Sequence, residues 1–231
     1  MNNSFPPGVV MLTSDRSVDF ALSEGDDGLN VKQQEYLLAR AGVPAEKVFT
    51  VRQVHGNRVL AISARNIPQV GKLPEADGLV TKTPGIALTI RTADCLPVFI
   101  FDPKQKCIGL VHAGWRGASQ HIVKNCLKAM QDNWGCHAAD LLVAFGPAIR
   151  SCCYEVGEEF LDIFPHEVTK KKGVFHLDLP LVNKKQLLES GVAGSKIFDS
   201  LKCTVCNDRF FSYRRERQSA GRHLSLLMLR P

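Results

Sequence analysis

Apolar and polar residues alternate in short blocks along the middle of this chain, and the blocks predict strands. Lys47 to Val54, Arg58 to Ser63, Gly78 to Thr81, Ile86 to Ile90, Leu96 to Phe101 and Cys107 to Val111 are β-branched or aromatic runs punctuated by Gly, Pro or Asn. Helical spacing appears before and after them. Asp26-Asp27 predicts a cap for a helix from Leu29 to Ala41, with Val31, Leu37, Leu38 and Ala41 apolar and Gly42 as the stop. A second helix is predicted from Ala118 to Asn133, its stripe formed by Ile122, Leu127 and Met130. Leu141 to Phe145, Ile197-Phe198 and His223 to Leu229 read as strands, and Glu158 to Phe164 and Leu179 to Ser190 as helices. Strand clusters followed by helices predict an α+β fold rather than a doubly wound parallel sheet.

The length of 231 residues allows one domain, taken here as 1–231, with no repeat or Gly/Ser linker dividing it. The first residues carry no basic and apolar signal pattern, and no apolar run approaches the roughly 20 residues of a membrane span. Eight cysteines without a secretory signal suggest a reducing, cytoplasmic setting with thiols free or bound to metal. Cys107, Cys126 and Cys136 read as packing residues. The net charge of +6 is dispersed, and its densest points, Lys170-Lys171-Lys172 and Arg214-Arg215, lack interleaved stacking aromatics. A solvated basic face is expected, with neither nucleic acid nor membrane as partner.

The chemistry concentrates in three segments: Gln53-Val54-His55-Gly56, Arg91-Thr92-Ala93-Asp94-Cys95-Leu96-Pro97 and Val111-His112-Ala113-Gly114-Trp115-Arg116-Gly117. His55, Cys95 and His112 lie 40 and 17 residues apart, unlike the short paired spacings of structural zinc fingers, so only the fold can join them. Two imidazoles and a thiolate suit zinc with an open fourth position. They also suit a cysteine nucleophile with a histidine base. Asp94 is expected either to orient a histidine and carry protons, or to cap a turn. His55 and His112 are expected at the C-terminal ends of strands, and Cys95 just before one. Arg16, Arg116 and Arg214 are candidates to bind an anion. Cys203-Thr204-Val205-Cys206 has the spacing of a metal knuckle or redox pair, but no second CxxC or His-x-His partner is evident; the adjacent Cys152-Cys153 are possible ligands that read rather as a buried turn, so no second metal site is expected.

With Ala76-Asp77-Gly78, Gly146-Pro147-Ala148-Ile149, Glu155-Val156-Gly157, Phe210-Phe211-Ser212-Tyr213-Arg214-Arg215 and Gly221-Arg222, these segments resemble the YfiH-like, or laccase-domain, family. The resemblance runs in order from about Val48 to Leu229. It implies a layered α/β/β/α arrangement with mixed sheets and a zinc site at His55, Cys95 and His112. It also implies a purine nucleoside phosphorylase taking adenosine, inosine, guanosine and methylthioadenosine, with adenosine deaminase activity. A monomer or homodimer binding nucleoside and phosphate is expected. Other readings attached to the family are a copper-dependent polyphenol oxidase and a cysteine or metal hydrolase that edits a peptidoglycan precursor. The chain departs from the family after Thr13-Ser14-Asp15-Arg16, where a Gly-Gly loop is replaced by Ser17-Val18-Asp19-Phe20.

Overall fold

The computed structural model describes residues 5–22, 28–63 and 73–231. Its fold is a mixed α+β arrangement built on two large sheets. One sheet has four strands in the order Val9–Thr13, His223–Leu229, Ala87–Thr92, Val48–Phe49. The other has six, in the order Ile197–Asp199, Leu142–Phe145, Leu96–Asp102, Cys107–Ala113, Gly78–Thr81, Val59–Ile62. A small three-stranded sheet is formed by Val168–Lys171, Val174–Leu177 and Glu155–Val156.

The side-chain alternation of the central strands explains the layering. In Leu96–Asp102, Leu96, Val98 and Ile100 pack with Ile122, Cys126 and Met130 of the helix Ile122–Trp134. Phe99 and Phe101 point the other way, into a core shared with Leu88, Ile90 and Leu227 of the four-stranded sheet. The outer face of that sheet, through Ala87, Leu224, Leu226 and Met228, meets Leu37 and Ala41 of the helix Val31–Ala41. Strands covered on both faces are apolar at nearly every position, as in Leu96–Asp102 and Cys107–Ala113, where all seven residues are buried. The expected α/β/β/α layering is therefore present.

Several elements differ from the sequence reading. The first helix starts at Val31, capped by Asn30, whose side chain accepts from the Gln33 amide while the Gln33 side chain accepts from the Asn30 amide, 3.0 Å each. The expected Asp26-Asp27 cap lies outside the described residues. Val31 and Leu38 face solvent, and Gln33 takes a buried place by donating to the Asp19 carbonyl. The expected helix from Ala118 to Asn133 is two helices, Trp115–Ser119 and Ile122–Trp134, separated where His121 adopts the left-handed conformation at φ 60°. Only Val48–Phe49 of the expected Lys47 to Val54 strand pairs in a sheet, apart from a bridge between Arg52 and Glu75. The helix expected from Glu158 to Phe164 is the single turn Phe160–Ile163. Among the described residues no helix is long and apolar enough to cross a membrane.

Phe99 lies fully buried between the sheets. Phe99→Ala is expected to destabilise by about 3–5 kcal/mol, read as a lower denaturant midpoint with an unchanged slope. A loss under about 1 kcal/mol would mean that the inter-sheet core collapses around the gap.

Candidate metal centre

His55, Cys95 and His112 meet at one end of the six-stranded sheet, their ligand atoms all within 4.8 Å of one another. Cys95 immediately precedes the strand Leu96–Asp102. His112 is the penultimate residue of the neighbouring strand Cys107–Ala113, with Pro97 as its register partner. His55 lies beyond the short strand Val48–Phe49, in a loop, exposed and with φ 58°. The two imidazole rings meet edge to face with centroids 4.8 Å apart.

The residue that assembles this cluster is one the sequence reading gave no role. Asp77, fully buried, accepts from the backbone amides of Val54 (3.2 Å), His55 (3.0 Å) and Gly56 (2.7 Å). The same carboxylate lies 2.8 Å from His112 Nδ1. One side chain thus shapes the loop carrying one histidine and orients the other. With Nδ1–H held by the carboxylate, His112 keeps Nε2 as its ligand nitrogen, the arrangement common behind metal-bound histidines. Asp77 also accepts from the His112 amide through its carbonyl, at 2.7 Å. Gln53 secures the base of the loop, its side chain accepting from the Arg91 amide and donating to the Arg91 carbonyl.

Burial alone would raise both the Cys95 and Asp77 pKa values and lower that of His112. The cluster reverses each tendency. The charge and hydrogen bond of His112, with a contribution from His55, bring Cys95 from 9.0 down to about 6. The Cys95 thiolate and Asp77 raise His112 to about 9, while His112 and the loop amides lower Asp77. The pairing therefore favours a thiolate beside an imidazolium in the metal-free site. Gly114 permits the close approach: a Cβ there would lie 3.0 Å from the Cys95 sulfur and 3.2 Å from the His55 ring.

Asp94 takes a different place from the one expected of an orienting carboxylate, which is Asp77. Its φ is 86°, a left-handed conformation held by hydrogen bonds at three points. Its carboxylate accepts from the Thr204 hydroxyl and from the Arg214 amide, both at 2.6 Å, and its carbonyl accepts from the Ile149 amide at 2.9 Å. Asp94 therefore ties the Cys95 turn to the segment carrying Arg214.

Two of the three candidate arginines border this region. The Arg116 guanidinium lies over the Trp115 ring at 4.5 Å. That of Arg214 lies 5.4 Å from the Tyr154 ring centre and donates to the Glu155 carbonyl. Tyr154, another residue without a sequence-assigned role, is close enough to feel both arginines, Asp94 and Cys95. Its phenol is pushed up, first by burial and then by the negative charge of Cys95. Arg16 instead pairs with Glu216 at 3.3 Å, packs over Phe211 and donates to the Asp208 carbonyl. Cys107, Cys126 and Cys136 are core residues as expected, with thiol pKa values raised chiefly by burial.

Two imidazoles and an ionised thiolate, backed by a carboxylate, are a donor set that fits zinc or copper. Among the described residues, His121, His137, His166, His176 and His223 join no such cluster.

Residues 8–230 match the family described as multi-copper polyphenol oxidoreductase laccase, and the chain belongs to it. The chain is 34% identical to a purine nucleoside phosphorylase of Bacteroides thetaiotaomicron, over 89% of this chain and 82% of that protein. It is 33% identical to the adenosine deaminase RL5 of an unknown prokaryotic organism, over 86% of this chain and 81% of that protein. Its fold matches the crystal structure of YlmD from Geobacillus stearothermophilus with a TM-score of 0.89 and 30% identity, covering 97% of this chain and 93% of that one.

A cysteine with its pKa near 6 stays reactive where an ordinary thiol is protonated. Alkylation of Cys95 by iodoacetamide in metal-free protein, followed by peptide mapping, is expected to fall only as pH drops through about 6. A midpoint near 9 would contradict the thiolate–imidazolium pair.

Proposed function

We propose that this family member is a metal-dependent purine nucleoside phosphorylase with adenosine deaminase activity, working at His55, Cys95 and His112. The observation that carries the reading is the Asp77-backed His/Cys/His cluster bordered by Arg116, Arg214 and Tyr154, together with relatives named for these two activities.

Zinc held by His55, Cys95 and His112 would supply a Lewis acid beside the reacting atoms. The remaining work falls to the chain. Arg116 and Arg214 bind phosphate, each guanidinium held against an aromatic ring so that little freedom is lost on binding. A phosphate oxygen then bonds to C1′ of the ribose as the bond from C1′ to the purine nitrogen breaks. The base leaves with the electron pair and takes up a proton. Tyr154, held in its protonated form, serves as hydrogen-bond donor beside the Cys95 and Arg214 side chains. Asp94 holds the Arg214 backbone in place. A proton-carrying role for Asp94 in deamination would require it to release its bond from Thr204 or from Arg214.

A second reading rests on one specific observation, the thiolate–imidazolium pair of Cys95 and His112. That pair would also serve a metal-independent hydrolase with Cys95 as nucleophile. The chelator response separates the two.

Zinc-loaded protein is expected to release free base from inosine and adenosine only when phosphate is present. Cys95→Ala should abolish release, and a chelator should stop it until zinc is returned. Arg214→Ala should raise the phosphate KM about tenfold or more, the loss of one charge-assisted contact. Absence of phosphate-dependent release would refute the phosphorylase reading. Activity untouched by the chelator but abolished by iodoacetamide would favour the hydrolase.

A further inference from the structure

The fold brings together four cysteines that the sequence leaves 50 residues apart in two pairs. Cys152 and Cys153 lie in the turn after Arg150, and Cys203 and Cys206 bracket the turn at Thr204-Val205. Their sulfurs all lie within 4.8 Å of one another, with Cys206 at 3.2 Å from Cys153 and 3.6 Å from Cys152. Four thiolates around one zinc ion at the usual Zn–S length stand about 3.8 Å apart, so the cluster is already close to that size. The expectation of a buried Cys152-Cys153 turn is corrected: Cys152 is exposed and Cys153 only partly buried. The missing second pair for Cys203 and Cys206 is an adjacent Cys-Cys rather than another CxxC, which is why spacing alone did not reveal it.

The two turns are held together without the sulfurs. Ala148 and Cys203 form a parallel bridge, with the Ala148 amide donating to the Lys202 carbonyl and the Thr204 amide donating to the Ala148 carbonyl. Arg150 closes the base through a two-pronged pair with Asp199, at 2.8 and 2.9 Å. Arg215 reaches across to the Thr204 and Val205 carbonyls. The backbone amides of Cys206, Arg150 and Val205 converge on the Cys203 sulfur.

We propose that Cys152, Cys153, Cys203 and Cys206 form a second, structural zinc site, closed by four thiolates and separate from the His55, Cys95 and His112 centre. Four soft sulfurs in a tetrahedral-sized cluster select zinc over metals that prefer oxygen. The site has a defined relation to the His55, Cys95 and His112 cluster. Thr204, within its second turn, donates to Asp94, the residue before Cys95, and Asp94 accepts from the Arg214 amide. Zinc at the four sulfurs would fix that turn and, through Asp94, the placement of Arg214. It acts as a positioning element and stands whether or not the first centre handles nucleosides.

The test is metal content per chain, by elemental analysis of full-length protein produced with zinc and kept anaerobic. Wild type is expected to carry two zinc ions. Cys203→Ser and Cys206→Ser should each lose one, while Cys95→Ala loses the other. Because Cys203 is buried, Cys206→Ser, at an exposed position, guards against loss through misfolding: it should keep its Cys95-dependent zinc and its circular dichroism. Cobalt in place of zinc should show thiolate charge-transfer absorption that drops sharply in Cys206→Ser. A single zinc lost in Cys95→Ala and retained in Cys206→Ser would overturn the proposal. So would iron with acid-labile sulfide at these cysteines, or an intact mass two hydrogens low that maps to a disulfide among them.

Discussion

The site depends on the buried carboxylate of Asp77. Its oxygens accept from three successive amides of the loop at Val54, His55 and Gly56 and meet the Nδ1 of His112. A buried carboxylate without such partners would cost several kcal/mol, and breaking a buried charged pair from one side typically costs about 3–5 kcal/mol. Here the partners include both histidines of the candidate metal centre. Satisfying Asp77 places His55 in a left-handed conformation that a histidine seldom adopts, and fixes which nitrogen His112 offers.

The layers explain why this arrangement can be held. His112 lies in Cys107–Ala113, and Cys95 leads directly into the adjacent antiparallel strand Leu96–Asp102, both strands being buried on both faces. The strands have little freedom to slip, since a one-residue shift would exchange every side chain between the helix side and the sandwich side. Asp77 immediately precedes Gly78–Thr81, which pairs with the strand carrying His112. Carboxylate and thiol thus stand at the entrances of two strands that flank the strand carrying the imidazole of His112, while His55 sits in a longer loop. At Gly117 the turn after His112 approaches that loop so closely that a Cβ would lie 2.8 Å from the Gly56 carbonyl oxygen. The Gly-rich segment around Trp115 is therefore a packing requirement of the His55, Cys95 and His112 cluster.

The fold class, the central strands and the three ligand candidates were legible in the sequence because they rest on local pattern. Gly78–Thr81 and His223–Leu229 have the expected bounds, and the stripe of Ile122, Leu127 and Met130 is buried. What was missed depends on contacts distant in sequence. Asp77 sat in a recognised segment, but nothing local reveals that it accepts from a loop some 20 residues earlier and a strand 35 residues later. Tyr154 gains its place through Arg214 and Cys95, and Asp94 through Thr204, 110 residues away. The break at His121 is a backbone choice without a Gly or Pro to announce it. Val9–Thr13, absent from the expected strands, pairs with His223–Leu229 at the other end of the chain.

The most direct test of this account is the zinc affinity of Asp77→Asn at the His55, Cys95 and His112 site. It is measured by competition with a chromophoric chelator, with Cys95→Ala identifying the signal from that site. The substitution keeps the shape but removes the charge, and its amide group cannot accept from the loop as the second carboxylate oxygen does. Zinc binding about 10–100-fold weaker in a folded protein is the predicted result. Unchanged affinity would contradict the claim that Asp77 assembles the metal centre.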